Sequence, residues 1–320
     1  RMESDLITAM IRQGKIPQAN VRIKIFVSQW KSRAEYKNNI ARFSLEKGKE
    51  YIKQKEFKNA LTELEIVKKK YGKSPYTAEA DLEKGRALLI TNKIEDALTL
   101  LTKMVQDYKN DPIIYKIYLN LGDYYFRSNQ YNIALEAFSK AVKDTSDENI
   151  ARLSMKYLIR VYDMLRMYDS GLYYTRKYIE KFPYAEDVIQ KKVQVGNFLM
   201  KLHEYQLAIK KFREVYKYAD FETRAEIQYW IGKSYAAMGI FRQAIFEFLK
   251  VKYMLPRTKL PWAATALYEA GQCYLKLDQP DKAKKIFRKI VLQEGAASDL
   301  GRIAQKKIDE IEKNGDKQID

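Results

Sequence analysis

The chain repeats itself. Gly48 is followed by Tyr51, Phe57, Ala60, Leu64 and Val67; Gly122 by Tyr125, Tyr131, Ala134, Phe138 and Ala141; Gly232 by Tyr235, Phe241, Ala244, Phe248 and Val251. Gly85, Gly196 and Gly271 open copies with the same offsets, and Ile159 stands in the glycine position of a fourth copy. The seven anchors lie 37, 37, 37, 37, 36 and 39 residues apart, and a small residue follows each anchor by 12. A period of this length defines a unit that cannot bury its apolar face alone and must stack on its neighbours.

Steps of three and four place side chains on one face of a helix. Gly48 and Tyr51 therefore share a first helix, and Ala60, Leu64 and Val67 share a second. Between them lie short polar stretches such as Lys53-Gln54-Lys55-Glu56 and Arg127-Ser128-Asn129-Gln130, suited to tight turns. The small residues are expected to let helix backbones approach, and the residue three before each alanine to plug the turn. Pro183 and Pro256 should stop second helices, and Pro280 should open one. In the fourth copy Ile159 and Gly171 invert the usual order, which reads as compensating volume and a local change of curvature.

These spacings resemble the tetratricopeptide repeat, an antiparallel helix pair of about 34 residues. The resemblance covers residues 38–295; it departs in lacking an early tryptophan and in a slightly longer period. It implies an all-α fold, a right-handed α-solenoid of antiparallel helix pairs. A degenerate pair is expected over residues 1–37, where Ile7, Met10, Ile16, Ala19, Ile23 and Phe26 keep the offsets. Leu300, Ile303, Ala304, Ile308 and Ile311 form one stripe, so residues 296–314 read as a C-terminal capping helix and 315–320 as a frayed tail.

Composition narrows the function classes. Hydrophobic residues at 46% and charged residues at 31% exclude wholesale disorder, and 13 Gly with 7 Pro argue against an all-β chain. One Cys and one His exclude disulfide frameworks, multi-cysteine zinc sites and multi-histidine centres. No Walker loop, dinucleotide-binding glycine pattern or nucleophile elbow occurs, so no enzyme, cofactor or metal site is expected. His203 reads as an exposed turn residue and Cys273 as core. No run of 18 apolar residues is present, and the Arg1-Met2 start reads as a fragment, which leaves targeting illegible.

The resemblance places ligands in a concave groove lined by first helices. One residue past each anchor stand Lys49, Arg86, Asp123, Arg160, Asn197, Lys233 and Gln272. One turn earlier stand Leu45, Leu82, Leu119, Lys156, Val193, Tyr229 and Tyr268. Four cations among seven in the first row suit a protein or peptide partner with acidic segments. A family subtype that clamps a C-terminal carboxylate is not matched, because Glu226 and Trp230 stand where further cations would be needed.

Net charge is +18, and residues 1–75 hold 18 basic against 8 acidic residues, with Lys68-Lys69-Lys70 and Lys73 the densest run. An alternative function is therefore electrostatic binding of nucleic acid or an anionic membrane surface by that basic quarter. Lys73-Ser74-Pro75-Tyr76-Thr77-Ala78-Glu79-Ala80 and Lys181-Phe182-Pro183-Tyr184-Ala185-Glu186-Asp187 resemble junctions in bacterial cell-envelope tetratricopeptide proteins. That resemblance implies an envelope or periplasmic protein-interaction scaffold, within outer-membrane assembly, secretion, a pilus or a flagellar motor. A cytoplasmic location and homo-oligomerisation both stay open.

Overall fold

The computed structural model describes residues 2–33, 35–254, 258 and 260–316. Among them there are seventeen helices and no strand. Eight helix pairs follow one another: α1 (Met2–Arg12) with α2 (Ile16–Trp30), α3 (Tyr36–Lys53) with α4 (Phe57–Tyr71), and α5 (Thr77–Ile90) with α6 (Ile94–Asp107). Next come α7 (Ile113–Arg127) with α8 (Tyr131–Lys143), and α9 (Glu148–Met164) with α10 (Tyr168–Lys181). Then follow α11 (Val188–Lys201) with α12 (Tyr205–Tyr216), α13 (Phe221–Ala237) with α14 (Phe241–Met254), and α15 (Trp262–Lys276) with α16 (Pro280–Glu294). A last helix, α17 (Asp299–Asp316), packs on α16 and α15. It runs to Asp316, two residues past the expected end at 314; residues 317–320 lie outside the described residues.

The chain divides into two compact units, Arg1–Val161 and Tyr162–Asp320, with the boundary inside α9. Each unit is an all-α solenoid segment. Within a unit the second helix of one pair packs on the first helix of the next, and first helices also touch first helices of adjacent pairs, as α5 touches α7 and α11 touches α13. One face of each unit is thereby lined by first helices and the other by second helices. The N-terminal pair departs from this rule: α3 leans on α1 and barely touches α2.

The turn inside every pair has one backbone design. Gly14, Lys55, Asn92, Asn129, Arg166, His203, Gly239 and Asp278 all have positive φ, between 53° and 76°. Each lies five residues before its copy's small residue. The following N–H donates to the carbonyl of Met10, Tyr51, Leu88, Tyr125, Tyr162, Leu199, Tyr235 or Tyr274, at 2.8–3.0 Å. This six-to-one bond closes the first helix with a left-handed cap and leaves the next residue in position to start the second. Pro280 opens α16, where its missing N–H costs nothing. Pro183 lies two residues past α10; the stop expected at Pro256 falls outside the described residues.

The anchor glycines act on side chains, not on backbones as their spacing suggests. A Cβ on Gly48 would meet Leu64 at 2.6 Å, one on Gly122 would meet the Phe138 ring at 2.6 Å, and one on Gly232 would meet Phe248 at 2.6 Å. In every case the intruder lies sixteen residues on, four past the alanine. The glycine therefore clears a socket for a large, fully buried side chain of its partner helix. In the fourth copy Ile159 and Thr175 occupy these two positions, and both are fully buried. Gly171 answers a different neighbour: its Cβ would strike the Phe198 ring at 2.5 Å.

Candidate functional site

First helices place the row that follows each anchor on one face, but their surroundings differ from the expected basic strip. In unit 1, Lys49 Nζ is 2.8 Å from Glu79 and 3.5 Å from Glu46. Glu46 is buried and also accepts from Arg12 Nε at 2.7 Å. Burial pushes the Glu46 carboxyl up, yet the Arg12 hydrogen bond and the Lys49 charge hold it below the usual carboxylate range. Arg86 is held by Glu83 at 2.8 Å. Asp123 accepts from the Tyr157 hydroxyl at 2.8 Å and pairs with Arg127 at 2.9 Å. Arg160 is exposed and lies over the Phe126 ring at 4.8 Å; among the described residues it has no carboxylate partner. Lys156 is half-buried on α9.

Of these residues Glu79, Glu83, Arg86, Asp123 and Tyr157 line a groove cavity of about 430 Å³ between α5, α7 and α9; Lys49, Lys156 and Arg160 are not among its lining residues. Glu79, Glu83, Asp123 and Asp147 face it with only Arg86 and Lys116 in opposition, over a floor that includes Leu119 and Leu153. The unit 1 groove is thus acidic and apolar. Of the cations counted along the row, Lys49, Arg86 and Lys233 are each paired with a carboxylate that the row omits, and Arg160, among the described residues, is not.

Unit 2 carries the remaining candidates. Lys233 Nζ lies 2.9 Å from Glu269, and the Tyr229 hydroxyl reaches the same carboxylate at 3.3 Å. The Tyr229 ring is core, 8% exposed and packed with Ala225, Phe248 and Ala270. Burial, then the Glu269 charge, drives its phenol far above the ordinary tyrosine range. Leu45, Leu82 and Val193 of the same row are likewise buried, while Leu82 and Leu119 also line the unit 1 cavity, so one turn before the anchor the helix serves both core and groove floor. Tyr268 is half-buried and accepts from Gln272 Nε2 at 2.8 Å.

Asn197 differs from all of these. It lines a cavity of about 370 Å³ between α11 and α13, with Phe198, Met200, Lys201, Tyr205, Trp230 and Lys233. Its buried Oδ1 has no hydrogen-bond partner among the described residues. Lys201 is paired with Asp163 and Lys233 with Glu269, which leaves the cavity close to neutral, with apolar walls and one unanswered amide. Below Trp230, whose indole donates to Glu226 at 3.2 Å, burial raises the Glu226 carboxyl above its ordinary range.

Glu46, Glu83 and Glu269 were missed in the sequence, although a signal existed. All three lie two residues before an anchor glycine, a third row that continues through Asn120, Tyr157, Gln194 and Trp230. His203 is an exposed turn residue, 2.7 Å from the Tyr205 hydroxyl. Cys273 is 4% exposed, and burial pushes its thiol up to about 11. In the basic quarter, Lys68 holds Asp81, Lys69 holds Glu65, and Arg12, Arg22, Arg42, Lys47, Lys49 and Lys53 each hold a carboxylate.

Stacked helix pairs with left-handed turns, glycine sockets and grooves between first helices define a helical-repeat interaction protein. Family models of the tetratricopeptide repeat match residues 45–112, 115–143 and 265–294. The chain thus contains tetratricopeptide repeats over these three segments. Similar solved structures include MamA from Desulfovibrio magneticus RS-1, at 18% identity and TM-score 0.47 over 59% of this chain and 98% of that one. YrrB, described as a TPR protein with an unusual peptide-binding site, shows 22% identity and TM-score 0.43 over 64% and 97%. A tetratricopeptide repeat protein from Parabacteroides merdae ATCC 43184 shows 13% identity and TM-score 0.49 over 85% and 98%. No curated protein matches the chain in sequence.

Proposed function

We propose that this chain is a non-catalytic scaffold that holds an extended segment of a partner protein in its first-helix grooves. The unanswered Oδ1 of Asn197 carries the reading. A buried polar atom without a partner costs stability unless a ligand supplies the missing hydrogen bond. A backbone N–H supplies it, while the walls of Phe198, Met200 and Trp230 receive an apolar side chain of the same segment. In unit 1 the carboxylates around Leu119 and Leu153 favour a segment with cations beside its apolar residues.

The test is to pan a peptide library on the full chain and measure the selected peptides by calorimetry. Asn197→Ala should weaken binding roughly tenfold or more without lowering the melting temperature, and Trp230→Ala should weaken it by a similar factor while also lowering the melting temperature, because its ring packs on the unit 2 core. Unchanged affinity in both variants would remove the unit 2 groove from the reading.

The resemblance of the junctions at residues 73–80 and 181–187 to those of bacterial envelope proteins supports a setting in a bacterial envelope machine. Fractionation of the source cells tests it, and recovery in the cytosol alone would overturn it.

A further inference from the structure

In unit 2 the charge lies away from the groove. The second helices α10, α12, α14 and α16 carry fourteen Lys and Arg against six Asp and Glu, whereas α11, α13 and α15 carry six against three. The second helices share one outer face. Arg176 and Ile179 of α10 line a cavity together with Lys211 and Val215 of α12. Arg213 of α12 comes within 3.9 Å of Glu247 on α14, and Lys289 of α16 donates to the Tyr253 hydroxyl of α14 at 3.2 Å.

Large side chains stand out from this basic face into solvent. Tyr173 is 51% exposed, Tyr218 75%, Phe246 55%, Tyr253 62% and Leu292 84%. Lysine ammonium groups lie over three of the rings, Lys177 at 4.7 Å from Tyr173, Lys250 at 4.4 Å from Phe246 and Lys289 at 5.9 Å from Tyr253.

We infer that the outer face of unit 2 docks on an anionic lipid bilayer. Lysine and arginine reach the phosphate layer, and amphipathic rings settle at headgroup depth, where one end is apolar and the other wet. The exposed apolar side chains are dispersed, one on α10, two on α14, one on α16 and Tyr218 just past the end of α12. A fluid interface accepts that spacing, whereas a shaped protein partner concentrates its anchors in a central patch. A nucleic acid would use the cations but leave Leu292 in water, and base stacking would have to compete with the lysines already over the rings. The surface is separate from the groove around Asn197, so the two readings stand or fall independently.

The experiment is flotation of the full chain with vesicles of phosphatidylcholine alone and of phosphatidylcholine mixed with phosphatidylglycerol. The chain should float only with the phosphatidylglycerol vesicles and be released by high salt. Charge reversal at four exposed positions, Arg176→Glu, Lys177→Glu, Lys210→Glu and Lys285→Glu, should weaken partition roughly a hundredfold or more, at about fivefold per cation. Tyr218→Ser with Phe246→Ser should weaken it roughly fivefold to tenfold. Asn197→Ala should float like the parent chain. Circular dichroism melting checks that every variant folds. A parent chain that ignores anionic vesicles, a charge-reversed chain that still floats, or an aromatic variant with undiminished partition would each overturn the proposal. So would a parent chain that binds a single-stranded oligonucleotide but not the vesicles.

Discussion

Lys55, Arg166 and His203 take positive φ with a Cβ in place, at a turn position where other copies use Gly14 and Gly239. For an L-residue the left-handed conformation costs about 1–2 kcal/mol, while glycine loses roughly 0.5–1 kcal/mol of its own through backbone entropy. Lys55 is exposed, and relief of strain should outweigh the entropy. Lys55→Gly is expected to stabilise by about 0.5–1 kcal/mol, read from the urea midpoint. A lowered midpoint would show that the turn is relaxed with lysine. Gly122 is the opposite case. Phe138 is fully buried and stacks on Tyr157 at 4.7 Å, so its ring has no room to withdraw from a new side chain. Gly122→Val should therefore destabilise by about 2 kcal/mol or more through overpacking. Retained stability would mean that the socket is loose.

At the scale of elements, α17 completes the last apolar surface of unit 2. Ala304 and Ile308 are buried against Leu267, Phe287 and Ile290, with Leu300 and Ile311 packed beside them. Lys284 and Arg288 of α16 reach Glu312 of α17, at 2.5 and 3.4 Å. Burial of two or so large aliphatic side chains contributes roughly 3–6 kcal/mol, so deleting residues 296–320 should lower the melting temperature and promote self-association. Light scattering alongside a melting curve would show this; an unchanged melt with a clean monomer peak would contradict it. The helices were legible in the sequence because their apolar period, turn residues and small residues all agree. Gly171 was not, because its partner Phe198 belongs to the following copy, and a repeat offset read within one copy cannot pair residues across two.

For the whole molecule, net charge is a poor guide to the groove. The sequence places 59 cations against 41 carboxylates, yet the cavity of unit 1 faces inward with more carboxylates than cations. Glu46 shows why acid should weaken the fold. Its carboxyl titrates below the ordinary range in the folded chain, because Arg12 and Lys49 outweigh its burial. A depressed folded value means that the stabilisation is complete above the ordinary carboxylate range and is lost as pH falls through the folded value. The melting temperature should drop between neutral pH and about pH 3, and the gap between the parent chain and Glu46→Gln should narrow over that interval. A gap independent of pH would assign Glu46 a packing role alone.

The repeat register, the helix pairs and the buried faces follow from the sequence by itself, since periods of 3.6 and about 37 residues express local geometry that each copy restates. Pairing of the row cations was decided only by the fold. Lys49 meets Glu79, and Lys233 meets Glu269, across 30 and 36 residues, and such distances close only when neighbouring first helices are stacked. The same stacking buries the Tyr229 ring while leaving Asn197 Oδ1 without a partner. Both belong to first helices at groove offsets, and only packing distinguishes the core ring from the amide that lines a cavity.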